Sequence, residues 1–136
     1  TKRRAAATSE WALAEVEQGD AASALRRLQT VADPDAAASA AATPADADRL
    51  IVIGRAHLAL GQPAQAEPAL QAADTYWQSA DPNARWAGEA AYWLGQCHAV
   101  QGRRAAAQEA MGRAQRILER SPFAADRVLF ARVRRE

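Results

Sequence analysis

Cysteine is nearly absent. Cys97 stands alone in 136 residues, so no internal disulfide can form and the redox compartment goes unmarked. With only two histidines beside it, no closed zinc site has its usual spacing. No apolar run approaches the ~20 residues of a membrane span, and no secretory leader is visible. A surplus of one charge is missing too. Seventeen basic residues meet sixteen acidic ones, and the net of +1 gives no global pull toward nucleic acid or an anionic membrane. β-branched residues are sparse and never alternate with polar ones, which argues against strands. The chain begins at Thr1 without Met and reads as a soluble piece of a longer protein, cytoplasmic or periplasmic.

What the chain has is alanine, at 38 positions, against 7 Gly and 6 Pro. Ala loses no side-chain entropy in a helix, so the composition favours an all-α fold. The length suits one domain, 1–136. Charge is uneven along it. Residues 5–99 carry 5 basic against 12 acidic side chains, and residues 100–136 carry 9 against 4. The basic end reads as a solvated helical surface or as a docking face.

Punctuation divides the chain into seven helices. Thr1–Arg4 reads as a frayed start. Trp11, Leu13, Ala14 and Val16 fit a helix over 8–18, which Gly19-Asp20 breaks. Asp20 is a fitting N-cap for 21–32, striped by Ala24, Leu25, Leu28 and Val31. Residues 36–42 carry no large side chain to dock. Thr43-Pro44, with Asp46 in the first turn, opens a helix to Leu60. Gly61-Gln62-Pro63 turns into a fourth, 63–79, in which Pro68 predicts a late start or a kink. Asp81-Pro82 opens 82–100, Gly102 turns the chain into 103–120, and Ser121-Pro122 opens a last helix, 123–134. Turns this short make neighbouring helices antiparallel.

The helices repeat. Turn glycines fall at Gly19, Gly61 and Gly102, spaced by 42 and then 41 residues. Seven residues before them stand Ala12, Gly54 and Gly95, each preceded by Trp11, Ile53 or Leu94. Five residues after them stand Ala24, Ala66 and Ala107, and four further on Leu28, Leu70 and Met111. Small residues on both helices of a hairpin permit close approach, and the large ones fill what lies between. A hairpin cannot bury both of its faces alone, so such units stack.

This register resembles the tetratricopeptide repeat (TPR) family, whose pattern is W-x2-L-G-x2-Y, then A-x3-F, then P. The third unit reads Ala91-x2-Leu94-Gly95-x2-His98, then Ala107-x3-Met111. The second reads Leu50-x2-Ile53-Gly54-x2-His57, then Ala66-x3-Leu70. The first reads Thr8-x2-Trp11-Ala12-x2-Glu15, then Ala24-x3-Leu28. Family repeats run about 34 residues. The longer spacing here is similar to the long-repeat branch, as in the kinesin light chain and related bacterial arrays. His57 and His98 replace the usual Tyr, and the closing Pro falls late, at Pro82 and Pro122. The segment 81–97 also resembles C-terminal repeat regions of some bacterial serine/threonine kinases. The resemblance implies an α-solenoid of three TPR-like hairpins (about 5–33, 43–80 and 82–121) plus a capping helix, 122–135.

No enzyme is legible. Cys97 and His98 are adjacent on a helix, about 100° apart, and cannot form a dyad with each other. His57 and His98 hold equivalent positions and read as hairpin-interior side chains. No phosphate loop occurs, and carboxylate pairs such as Asp46/Asp48 and Glu15/Glu17 diverge around their helices. No cofactor or metal is expected.

Aromatics cluster instead. Tyr76, Trp77, Trp86, Tyr92 and Trp93 fall within eighteen residues, with Trp86 and Trp93 seven apart on one helix face. They read either as cement between the second and third hairpins or as the lining of a ligand groove, where Trp, Tyr and Arg dominate. In resembled arrays the first helix of each hairpin holds peptide on the concave face. That register implies Asp48, Ile51, Arg55 and Leu58, then Glu89, Tyr92, Gln96 and Ala99, with Trp86 beside them. Arg55, Tyr92 and Gln96 would supply a carboxylate fork, an aromatic anchor and an amide for backbone groups. The expected function is a non-catalytic scaffold for a protein or peptide, within a larger bacterial signalling protein. Two alternatives stand beside it: a small-molecule sensor, with a metabolite enclosed by Trp86, Tyr92 and Arg55, and self-association through the solenoid ends.

Overall fold

The computed structural model describes residues 2–31, 41–120 and 129–132, with side chains described for 10–28, 41–120 and 129–132. Six helices run in order: α1 (Lys2–Glu17), α2 (Ala21–Val31), α3 (Pro44–Ala59), α4 (Pro63–Ala80), α5 (Arg85–Val100) and α6 (Arg104–Leu118). Residues 129–132 are also helical, and the rest of the expected capping helix lies outside the described residues. No strand occurs among the described residues.

The three glycine turns share one geometry. Gly19, Gly61 and Gly102 adopt φ of 91°, 72° and 77°, the left-handed region that a side chain would strain. Around Gly61, the Gln62 N–H donates to the His57 carbonyl at 2.8 Å and the Gly61 N–H to Leu58 at 3.0 Å. The same pair of bonds recurs at Gly102 and at Gly19. This is the Schellman end of a helix, and it satisfies carbonyls left without intrahelical partners. Each hairpin is therefore closed by one chemistry used three times.

The hairpins are α1/α2, α3/α4 and α5/α6. The first helices α1, α3 and α5 touch in sequence and form an inner layer, while α2 packs on α3 and α4 on α5. The result is an all-α stack, a helical repeat. Close approach follows from the small residues. A Cβ on Gly54 would overlap the Leu70 side chain outright, and one on Gly95 would sit 3.1 Å from Met111. The seams are apolar. Leu94 and Cys97 of α5 pack on Ala66 and Leu70 of α4, and Val52 packs with Ala12, Ala24 and Leu28. Trp77 joins Leu50, Ile51, Ala73 and Ala90 in the largest buried group.

Polar contacts also join the second hairpin to the third. Asp74 of α4 is 2% exposed. Arg113 of α6 grips it with Nη1 at 2.8 Å and Nη2 at 3.2 Å, and Gln78 donates to it at 2.6 Å. Glu67 of α4 likewise receives Arg103.

Several expected boundaries move. α1 starts at Lys2 rather than Thr8, because the run through Ala5–Ala7 contains no breaker. α4 starts at Pro63 and passes through Pro68 without a late start. Pro68 and Ala64 both lie on its exposed side, where water can serve the freed carbonyl. α5 starts at Arg85, not Pro82. Asp81 caps no helix N-terminus; its Oδ1 accepts from the Asn83 N–H at 3.2 Å and holds a turn. Thr43 does cap α3, exchanging bonds with Asp46 in a capping box.

Candidate functional site

The inner layer carries an open groove of about 710 Å³. Its walls come from α1 (Glu10, Leu13, Glu17), α3 (Asp48, Ile51, Arg55) and α5 (Arg85, Trp86, Glu89, Trp93), with Leu129 and Arg132 along one side. Side chains three, four and seven apart on a helix share a face. That spacing brings Asp48, Ile51 and Arg55 into one row, and Arg85, Glu89 and Trp93 into the next.

Arg55 is the centre. Its guanidinium lies 4.4 Å over the Trp93 ring. Nη2 is 3.7 Å from Glu17 of α1, and Nη1 is 3.8 Å from Glu89 of α5. One cation therefore joins carboxylates from the hairpins on either side of its own. Burial pulls the guanidinium below its usual pKa, against the pull of Glu89 and Glu17. Its Nε is buried with no hydrogen-bond partner. Arg85 repeats the stacking, 4.2 Å over the ring of Trp86. Trp86 is 36% exposed at the rim.

Asp48 sits deeper. Burial pushes its carboxyl above the ordinary value, Glu10 adds to the push, and Arg85 opposes it. A carboxyl with a raised folded pKa holds its proton more tightly in the folded chain. Its stabilising contribution is complete at low pH and is lost as pH rises from the ordinary value through the raised one. Asp48→Asn is therefore expected to raise the melting temperature at pH 7 and to leave it unchanged at pH 3, as followed by circular dichroism.

Of the expected groove residues, Asp48, Ile51, Arg55, Trp86 and Glu89 meet in this groove. Gln96 and Leu58 line a smaller hollow of about 330 Å³ that shares Arg55 and Trp93 with it. Tyr92 does not fit the role of an aromatic anchor. It is 3% exposed and buried among Ala91, Ala114 and Leu118, with Leu129 and Phe130 over it. The neighbouring Trp93 takes the groove position, meeting Tyr92 edge-on at 4.9 Å. Ala99 faces a different hollow, beside Ala107 and Met111. The aromatic cluster thus divides: Trp77 and Tyr92 are core, Trp86 and Trp93 are groove. Glu10, Glu17 and Arg85 were missed from sequence. The i,i+7 spacing of the two acids and the i,i+4 spacing of Arg85 and Glu89 are the signals that could have found them.

The reactive-looking pair is structural. Cys97 is fully buried, donates to the Pro63 carbonyl at 3.3 Å, and has its thiol pKa pushed up by burial. His98 Nδ1 lies 3.6 Å from Glu67. His57 is half-buried, like His98, and meets Gln62 of its own turn at 2.9 Å. Among the described residues, no group of three His, Cys, Asp or Glu could hold a metal ion, and no helix is long and apolar enough to cross a membrane. No protein-family model, curated protein or solved structure matches the chain.

Proposed function

We propose that this chain is a non-catalytic scaffold whose inner groove holds a segment of another protein, and that its hairpins are long-repeat TPR-like units. The observation that carries this reading is the Arg55–Trp93 stack flanked by Glu17 and Glu89, laid open beside the exposed ring of Trp86. Rigid aromatic faces next to polar and charged groups are what binding hot spots are made of. An extended segment suits the groove better than an enclosed metabolite does. Tyr92, which would have completed an enclosing wall, is turned into the core, and Trp86 and Glu17 leave the rim open to solvent. The likeness of 81–97 to kinase repeat regions supports a regulatory or sensor role within a larger bacterial signalling protein.

The test is selection of displayed peptides on the immobilised chain, followed by titration of the enriched sequences. Trp86→Ala is expected to weaken them about tenfold or more, the usual effect of losing a hot-spot Trp, and Arg55→Ala is expected to do the same. Because Trp86 is at the rim, its removal leaves the core intact. Sequences that bind the Trp86→Ala chain as well as the unaltered one would remove this groove as the binding site.

A further inference from the structure

The outer layer carries a further cavity, of about 310 Å³, lined by three of the nine arginines of residues 100–136. Arg113 and Arg116 of α6, with Arg120 two residues past its end, line one side of it. Asn83, in the turn before α5, faces them, and Ile117 and Ala87 give it an apolar floor. The three arginines are not equivalent. Arg113 is committed to Asp74 and Glu109. Arg116 and Arg120 are exposed, and among the described residues their side chains make no ion pair or hydrogen bond. Arg116 feels the charge of Glu109, but among the described residues neither fork has a bonded partner over the apolar floor.

We propose that this cavity recognises a short acidic segment of a partner protein, with two carboxylates on Arg116 and Arg120 and an apolar side chain between them on Ile117 and Ala87. A guanidinium fork matches a carboxylate with two parallel bonds. The Asn83 amide offers both a donor and an acceptor to the segment's backbone. The surroundings select against long polyanions. Glu109 of α6 and Glu119, which caps its end, flank the arginines in sequence, and residues 5–99 carry a net of −7. Duplex nucleic acid or a charged membrane would be repelled on both sides of so short a basic patch. The site lies between α4 and α6, away from the inner groove, and does not depend on what that groove binds.

The experiment is fluorescence anisotropy with a labelled peptide built on Glu-Leu-Glu, compared with its Gln-Leu-Gln twin, on the whole chain. Saturable binding of the acidic peptide is expected. It should be weaker by about tenfold for the twin and for R116Q/R120Q, as two exposed charge pairs are lost. R116K/R120K, which keeps the charges and loses the forks, should fall between. Arg104→Gln removes one charge outside the cavity and should stay within about twofold of the unaltered chain. Circular dichroism checks that each variant keeps its helix content. The proposal is overturned by any of three results: no saturable binding, equal binding by R116Q/R120Q, or displacement of the peptide by duplex DNA or phosphatidylserine vesicles at equal charge concentration.

Discussion

Arg113→Ala is expected to cost about 3 kcal/mol of folding free energy, read from the urea midpoint at unchanged slope. The loss comes less from the contact itself than from what remains. Asp74 is 2% exposed, and without Arg113 its carboxylate keeps only the Gln78 amide for a partner. A buried charge stripped of its counterion carries its full desolvation penalty. The double variant Asp74→Ala/Arg113→Ala should accordingly be more stable than Arg113→Ala alone, although it removes more atoms. If Arg113→Ala costs under about 1 kcal/mol, the pair behaves as a surface salt bridge and the seam rests on apolar packing alone.

Gly54→Ala is the second large effect, about 2 kcal/mol, from one added methyl group. The new Cβ would fall inside the Leu70 side chain, and Leu70 is fully buried with nowhere to move. Gly95→Ala meets the unbranched, flexible side chain of Met111, at 3.1 to 3.2 Å, and should cost under about 1 kcal/mol. Two positions in the same repeat column therefore differ by what stands opposite. Gly54→Ala/Leu70→Ala should be no less stable than Leu70→Ala, since the clash disappears with its partner. Equal costs for Gly54→Ala and Gly95→Ala, measured by urea denaturation, would contradict the packing described.

The hairpins were legible because their signals are local. A glycine that must take positive φ, a small residue seven before it and an Ala five after it together specify a turn and a close contact, whatever lies elsewhere. Helix starts were less so. Asp81-Pro82 spells a cap followed by proline, yet Asp81 spends its side chain on the Asn83 N–H and the helix begins three residues later. The groove was legible as a face but not as a set of side chains. Tyr92 and Trp93 are adjacent, so about 100° of helix rotation decides which is core. Tyr92 is the core one because it packs on Ala114 and Leu118 of α6, with Leu129 and Phe130 beside them, partners twenty to forty residues on. Nothing local marks Asp74; its partner Arg113 comes from α6, thirty-nine residues on.

Among the described residues, the first hairpin touches the second through α1 and α2 on α3, and no helix of the first packs on a helix of the third. Cooperativity can pass along such a stack only from neighbour to neighbour. The joint between α4 and the third hairpin is bolted by buried Asp74 and by Glu67; the joint ahead of it is sealed by alanine, leucine and valine and crossed by the longer Arg55–Glu17 pair. Heat should therefore peel the molecule from its amino-terminal end. The calorimetric enthalpy would then exceed the value inferred from the sharpness of the transition, as in a zipper rather than a switch.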